Sequence, residues 1–349
     1  MLSSTRNSNI ELLRILCMLM VLILHFNNNC VNVGLTSFPE NLTNELKWGF
    51  LVESFCIVAV NCFVLISGYF AINLKFRSVL KFYLQCFSIG LVSYVLYVWI
   101  APDVLSMKPL LGRLFAFSHN HWWFVISYLC LMLFSPILNT AVKNLSPKKL
   151  LVSILMFSII IFYFGWYKWL ESNNDGYSLL HFVFLYLIGR YIGEYMSLSS
   201  IRLYRWYSLF GYIIGCIGCF VLVLLRYYTE WKIRFHFEYD HPLVVLSAVC
   251  LLLLLLLSFN FQSKLVNWCA SSVFAAYLLQ ESPYFGRSFL YPFVAEWFAN
   301  TTIPHVGGCI WVSLAFLFLS VLLDKLLKPL SNQILKLYDY CVIKVNRYF

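Results

Sequence analysis

Long apolar runs recur along the whole chain, and they constrain the fold more than any other feature. A helix of about 20 apolar residues is long enough to cross a bilayer. We place such runs at residues 8–28, 48–72, 78–100, 121–141, 150–169, 178–197, 206–226, 241–259, 266–282 and 304–327. The sequence therefore predicts an all-α, polytopic membrane bundle of about ten transmembrane helices, with residues 1–349 forming one domain.

The composition excludes the soluble classes of protein. Hydrophobic residues make up 61% of the chain and charged residues 11%, whereas a soluble domain has about 45–50% apolar and about 25% charged residues. A soluble enzyme, a disordered chain and a disulfide-rich secreted module are all inconsistent with these values. The first apolar run contains Glu11 and Arg14 and ends in no small-residue cleavage site, so we interpret it as an uncleaved helix.

The 12 cysteines lie mostly inside the apolar runs, without a nearby histidine cluster. They are typical of small buried hydrophobes, and no metal site or bound cofactor is expected.

The positive charge indicates orientation. The formal net charge is +10, and most of the 25 Lys and Arg residues fall on the N-terminal side of the predicted spans, while most acids fall on the other side. Because Lys and Arg collect in cytoplasmic loops, we expect both termini in the cytoplasm of a multi-pass protein of the inner or plasma membrane. Basic and aromatic residues that alternate inside spans are a poor nucleic-acid signal, so the expected surroundings are lipids and not nucleic acid.

Three ionisable side chains share one face of the first span. Arg14 and His25 are eleven residues apart, which is about three turns, roughly 16 Å of rise and about 20° of residual rotation. Glu11 lies one turn from Arg14 and can pair with it. Ionisable groups in a span need partners or a watery cavity. The stripe indicates either a functional site along this helix or a structural ion pair with a hydrogen-bonded histidine.

The end of the second predicted span carries small residues followed by cations. Ser67 and Gly68 allow a close helix approach or a kink, and Lys75, Arg77 and Lys81 follow. Three cations at the cytoplasmic mouth suit a phosphate-bearing ligand. The same three cations are also explained by the general excess of Lys and Arg at the cytoplasmic ends of membrane spans.

Polar and aromatic residues mark two further places. Glu53 lies in the first third of the second span and needs a partner, either as a functional carboxylate or at a half-exposed interface. The segment His121, Trp122, Trp123 opens the fourth span, where it can bind a sugar by stacking or form an interfacial belt. Two histidines at positions 119 and 121 make no metal site without a third ligand.

These motifs together resemble the integral-membrane acyltransferase family three, over nearly the whole chain. The residues that carry the resemblance are Arg14 and His25, the segment Phe63–Tyr69, His121–Phe124, Tyr186–Tyr191, and Tyr277–Glu281. Arg77 and Lys81 stand where the family commonly has paired arginines, and Gln280 stands where it usually has a histidine. That replacement leaves His25 as the principal candidate for proton transfer.

The resemblance implies an O-acyltransferase similar to the bacterial polysaccharide O-acetyltransferases. Acyl-CoA, with acetyl-CoA preferred, would be the donor substrate, and a glycan or lipid-linked sugar the acceptor. His25 is expected to act as a general base or a transient acyl carrier. We assign catalysis to His25, Arg14 and Glu11, donor binding to Lys75, Arg77, Lys81, Ser67 and Gly68, and substrate binding to His121, Trp122, Trp123, Glu53, Gln280 and Glu281.

Two other functions use the same features. A glycan or lipid-linked sugar transporter or flippase would use the intramembrane charges as a substrate path, although no two-fold repeat relates the halves of the chain. A polysaccharide polymerase ranks lower because the loops on the outer side are short.

Overall fold

The computed structural model describes residues 7–30, 42–106, 111–112, 115–117, 122–197, 204–229, 237–258, 261–301 and 303–345. Over these residues the protein is helical, with no β-strand. The predicted all-α class is therefore confirmed.

The helices lie close to the predicted apolar runs. In chain order they are α1 (Ser8–Cys30), α2 (Asn44–Cys56), α3 (Ala59–Phe70), α4 (Phe76–Ile100), α5 (Trp123–Asn144), α6 (Pro147–Ile159, continued by a π-helical segment Ile160–Tyr167), α7 (Leu179–Tyr195), α8 (Arg205–Tyr228), α9 (Pro242–Leu257), α10 (Lys264–Ala270), α11 (Phe274–Gln280), α12 (Tyr291–Ala299) and α13 (His305–Val345).

Seven helices among the described residues are long and apolar enough to cross a membrane, counting α2 and α3 as one. The apolar helix α9 has only 16 residues, and α7 has 17. The number of about ten spans is thus not confirmed, although the protein is plainly a membrane-type bundle.

The apolar run at 266–282 is not one helix. It is divided into α10 and α11, each seven residues long, by a turn at residues 271–273. Lys328 of α13 donates to the Ser271 carbonyl at 2.8 Å and to Ser272 Oγ at 2.7 Å. A lysine from another helix therefore satisfies polar groups at the turn that the break would otherwise leave without partners.

The closest helix crossing joins α3 to α7 through glycines. A Cβ added at Gly68 would lie 2.3 Å from the Tyr186 carbonyl oxygen, and one at Gly189 would lie 2.3 Å from that of Leu65. A Cβ added at Gly193 would lie 2.3 Å from the Tyr69 carbonyl oxygen. The G-x-x-x-G spacing of Gly189 and Gly193 is typical of helices that pack backbone to backbone in membranes. This crossing fixes the end of α3, which carries the predicted donor-binding residues Ser67 and Gly68.

Candidate active site

His25 of α1 is held by Gln280 at the end of α11. The His25 Nδ1 atom lies 2.9 Å from Gln280 Oε1, and Gln280 Nε2 donates to the Leu22 carbonyl at 3.2 Å. Because the amide nitrogen is committed to that carbonyl, its oxygen faces the imidazole and must accept a hydrogen bond. The arrangement therefore favours the tautomer with hydrogen on Nδ1, which leaves Nε2 as the basic nitrogen.

A carboxylate supports the same side of the ring. Glu281 Oε1 lies 3.4 Å from His25 Nδ1 and also accepts a hydrogen bond from the Tyr291 hydroxyl. Arg287 Nη2 lies 2.7 Å from Glu281 Oε2. The carboxylate is thus shared among a histidine, a tyrosine and an arginine, and an imidazolium formed at His25 would have a negative charge beside it.

His25 also lines a partly open, apolar space that we call the central cavity. It contains about 390 Å³ of empty volume. Its lining comes from α1, α3, α5, α11 and the segment before α9, namely Met18, Val21, His25, Val60, Phe63, Trp123, Phe124, Tyr239, Phe274 and Tyr277. Such an apolar lining fits an acyl chain or thioester arm.

An aromatic cluster borders the central cavity. Trp123 lies 4.4 Å from Tyr177 and 5.8 Å from Tyr239, measured between ring centroids. The Tyr239 segment is fixed by its backbone, because Asn61 Nδ2 donates to the Tyr239 carbonyl at 2.8 Å. Tyr177, which lies between α6 and α7, also lies 4.9 Å from Tyr239 between ring centroids.

The two predicted tryptophans differ in position. Trp123 borders the cavity, whereas Trp122 is buried at 1% exposure and is not among the cavity residues. The predicted site residue His121 lies outside the described residues. Among the described residues of His121–Phe124, Trp123 and Phe124 line the central cavity.

Glu53 is fully enclosed near the same end of α1. Asn27 Nδ2 donates to Glu53 Oε2 at 2.9 Å, and Asn28 Nδ2 donates to Oε1 at 3.1 Å. Both asparagines follow His25 on α1, so Glu53 ties α2 to the helix that carries the histidine. Its position is buried and paired, unlike the half-exposed interface considered above.

Arg14 and Glu11 form a separate pair toward the other end of α1. Arg14 Nη1 lies 2.7 Å from Glu11 Oε1, and the Arg14 guanidinium lies 5.8 Å from the centre of the Phe70 ring. Along the helix this pair is about 16 Å from His25. It is too distant to contact the His25 ring.

The residues expected to bind the donor do not form one cluster. Arg77 Nε pairs with Asp339 of α13 at 2.9 Å, and Lys75 and Lys81 are exposed near it on α4. Ser67 shares a hydrogen bond with the Tyr128 hydroxyl at 3.0 Å, while Gly68 packs against α7.

Within the described ranges, no three His, Cys, Asp or Glu residues are grouped in a way that would hold a metal ion. The chemistry that the site offers comes from His25 and its hydrogen-bond partners.

Comparison with known families decides the class of the protein. The model of an acyltransferase domain matches residues 7–323, which is most of the chain. The chain belongs to acyltransferase family 3. It is a membrane acyltransferase. No curated protein and no solved structure matches it.

In this acyltransferase, sequence reasoning missed three residues around His25. Arg287 and Tyr291 hold Glu281, and Tyr277 lies 6.1 Å from the imidazole between ring centroids. Arg287 gave a signal, because it is a charged residue six positions after Glu281 in an otherwise apolar stretch. Tyr277 begins the segment Tyr277–Glu281 that carries the family resemblance, but nothing in the local pattern marks Tyr291 among the 23 tyrosines of the chain.

Proposed function

We propose that this acyltransferase moves an acyl group, preferably acetyl, from cytoplasmic acyl-CoA to a hydroxyl of a glycan or lipid-linked sugar. The observation that carries the proposal is the hydrogen bond from His25 Nδ1 to Gln280. It leaves Nε2 as the unprotonated nitrogen beside an apolar cavity, which is what a general base for a hydroxyl requires.

The step is a direct acyl transfer. The acceptor hydroxyl oxygen attacks the thioester carbonyl, a C–O bond forms and the C–S bond breaks. His25 Nε2 takes the hydroxyl proton and returns it to the leaving thiolate, so that free CoA is released. The Glu281 carboxylate stabilises the imidazolium that exists between these two proton transfers.

The position of His25 indicates the side on which the acceptor binds. His25 lies about 26 Å along α1 from Ser8, and α1 begins on the side that the positive-inside pattern assigns to the cytoplasm. The donor's arm would therefore enter from the inner side, and the acceptor would approach from the outer side of an inner or plasma membrane. The Trp123, Tyr177 and Tyr239 cluster offers aromatic faces for a sugar ring.

Release of CoA tests the proposal. Purified protein in lipid nanodiscs, given acetyl-CoA without acceptor, should release free thiol slowly. His25→Ala should reduce that release by about 10²- to 10⁴-fold. The matched control is His305→Gln, since His305 pairs with Glu45 at 3.2 Å outside the site and the control should keep wild-type release.

Two results would contradict the proposal. If folded His25→Ala protein releases CoA at the wild-type rate, His25 is not the base. If the wild type releases no CoA, and mass spectrometry finds no acetyl difference in surface glycans of cells with and without the gene, a transporter or flippase becomes the better explanation.

A further inference from the structure

A second, polar cavity lies where α3, α5 and α7 meet, and we call it the inner pocket. It contains about 850 Å³ of empty volume and is open to one side. It is lined by Phe70, Ala71, Ile72, Asn73, Leu74, Pro136, Asn139, Lys143 and Arg190. By the positive-inside pattern, all of these lie toward the cytoplasmic side.

Arg190 is the unusual residue of the inner pocket. It is 4% exposed, and its Nη2 atom pairs with Glu194 Oε2 at 2.7 Å. Its Nε atom is buried and has no hydrogen-bond partner among the described residues. A buried charged donor left unsatisfied is costly. A ligand that accepts hydrogen bonds from this guanidinium would remove the cost.

The walls of the inner pocket are fixed by hydrogen bonds. Asn139 Nδ2 donates to the Ile72 carbonyl at 2.9 Å and its Oδ1 accepts from the Tyr186 hydroxyl at 2.8 Å. The Ile72 amide in turn donates to the Tyr186 hydroxyl at 3.0 Å. These hydrogen bonds hold three segments of the chain in fixed positions around the space, so the pocket is formed before any ligand binds.

The charge in the inner pocket favours an anion. Lys143, in the last turn of α5, has no carboxylate partner among the described residues and is exposed at the rim. No acid belongs to the lining, and Glu194 compensates Arg190 alone. A guanidinium fork beside a lysine point charge is the combination that proteins use for phosphate groups.

We propose that the inner pocket binds a phosphate group through Arg190 and Lys143. This deepens the proposed function, on which it rests: there, the phosphates belong to the nucleotide end of the acyl donor. The assignment differs from the cations of α4, because Arg77 is committed to Asp339. The headgroup of an anionic lipid carries the same chemistry at this membrane depth.

The inner pocket and the central cavity lie along the same two helices. On α3, Phe63 lines the central cavity and Phe70 lines the inner pocket. On α5, Phe124 lines the central cavity and Asn139 lines the inner pocket. The hydrogen bond between Ser67 and Tyr128 lies between them. A donor anchored in the inner pocket would extend its arm along this line toward His25.

Binding to nanodisc-embedded protein tests the proposal with defined probes. Adenosine 3′,5′-bisphosphate carries the phosphates without the arm, and pantetheine carries the arm without the nucleotide. We expect Lys143→Glu and Arg190→Gln to raise the dissociation constant for CoA and for the bisphosphate about tenfold or more, and to leave pantetheine binding unchanged. Lys148→Glu is the matched control, because Lys148 is an exposed lysine at the start of α6, outside the pocket.

The outcomes separate the pocket from the reaction. Wild-type binding of CoA and bisphosphate by folded Lys143→Glu protein overturns the inner pocket as a phosphate site, while CoA release by the wild type would still support acyl transfer. Failure of wild-type protein to bind CoA or bisphosphate counts against acyl-CoA as the donor.

Nanodiscs of phosphatidylcholine with and without phosphatidylglycerol distinguish a nucleotide phosphate from a lipid phosphate. If native mass spectrometry shows phosphatidylglycerol retained by the wild type and lost in Lys143→Glu, with no CoA binding, the phosphate is a lipid's.

Discussion

The central cavity and the inner pocket lie on the same helices and differ in almost every physical property. The central cavity is lined by aromatic and aliphatic side chains around one imidazole, whereas the inner pocket contains an arginine, a lysine and two asparagines. Apolar surroundings strengthen the electrostatic interactions of the few polar groups that they contain. A polar, open pocket can hold a charged group without removing it from solvent. In the functions that we propose for the two sites, acyl transfer takes place in the central cavity and the donor is anchored in the inner pocket.

After His25→Ala itself, the largest effect expected within this comparison comes from Gln280, which positions His25 in the central cavity. In Gln280→Leu, no side-chain acceptor remains for Nδ1–H at that position, so the imidazole can adopt the other tautomer or rotate. We expect kcat to fall about 10- to 100-fold while the KM for the donor stays unchanged. Steady-state kinetics of acetyl transfer or CoA release would measure both values.

Gln280→Glu is the conservative counterpart, because a carboxylate oxygen at the same position also accepts from Nδ1. We expect it to keep most of the activity that Gln280→Leu loses. Equal losses in both variants, with normal folding, would show that Gln280 acts through packing and not by accepting the hydrogen bond.

This contact also shows where prediction from sequence ends. Ionisable or polar residues in apolar runs are costly, and that rule alone singled out Glu11, Arg14, His25 and Glu53. It could not show that Gln280, 255 positions from His25, would be its partner. The apolar pattern records which residues avoid water and leaves open which helices face each other.

The same limit explains the differences in the fold. The run at 266–282 contains Ser271 and Ser272 in the turn that separates α10 from α11. Serines also occur inside unbroken membrane helices, so two of them in a long apolar run do not predict the break. The lysine that satisfies the turn lies 56 positions away from Ser272. Conversely, the close crossing of α3 and α7 was readable in part, because Ser67 and Gly68 indicated a close helix approach.

A smaller effect, on stability, is expected from the glycine crossing that shapes the inner pocket. In Gly189→Ala the new methyl group would lie 2.3 Å from the Leu65 carbonyl oxygen and 2.9 Å from the Tyr69 amide nitrogen. Since both neighbours are backbone, the helices must separate. We expect a loss of about 1–3 kcal/mol in the free energy of unfolding, together with weaker binding of the bisphosphate at the adjacent Arg190.

Gly307→Ala is the matched control for thermal unfolding in nanodiscs, because nothing lies within 4 Å of the added Cβ there. We expect its melting temperature to be equal to or slightly above that of the wild type. A Gly189→Ala protein as stable as the Gly307→Ala protein would mean that α3 and α7 do not pack as closely as described.

The smallest effect is expected outside both regions, at the pair of Arg77 and Asp339. This pair joins the start of α4 to the end of α13 at 2.9 Å and is exposed to solvent, and exposed ion pairs contribute little to stability. Arg77→Ala and Asp339→Ala should therefore each leave the melting temperature and kcat nearly unchanged.

The donor KM decides the role of Arg77, because the two variants break the same pair and only Arg77→Ala removes a cation. An increase in donor KM in Arg77→Ala without one in Asp339→Ala would support Arg77 as a donor-binding residue, as the family resemblance implies. Unchanged values in both would leave donor anchoring to the inner pocket.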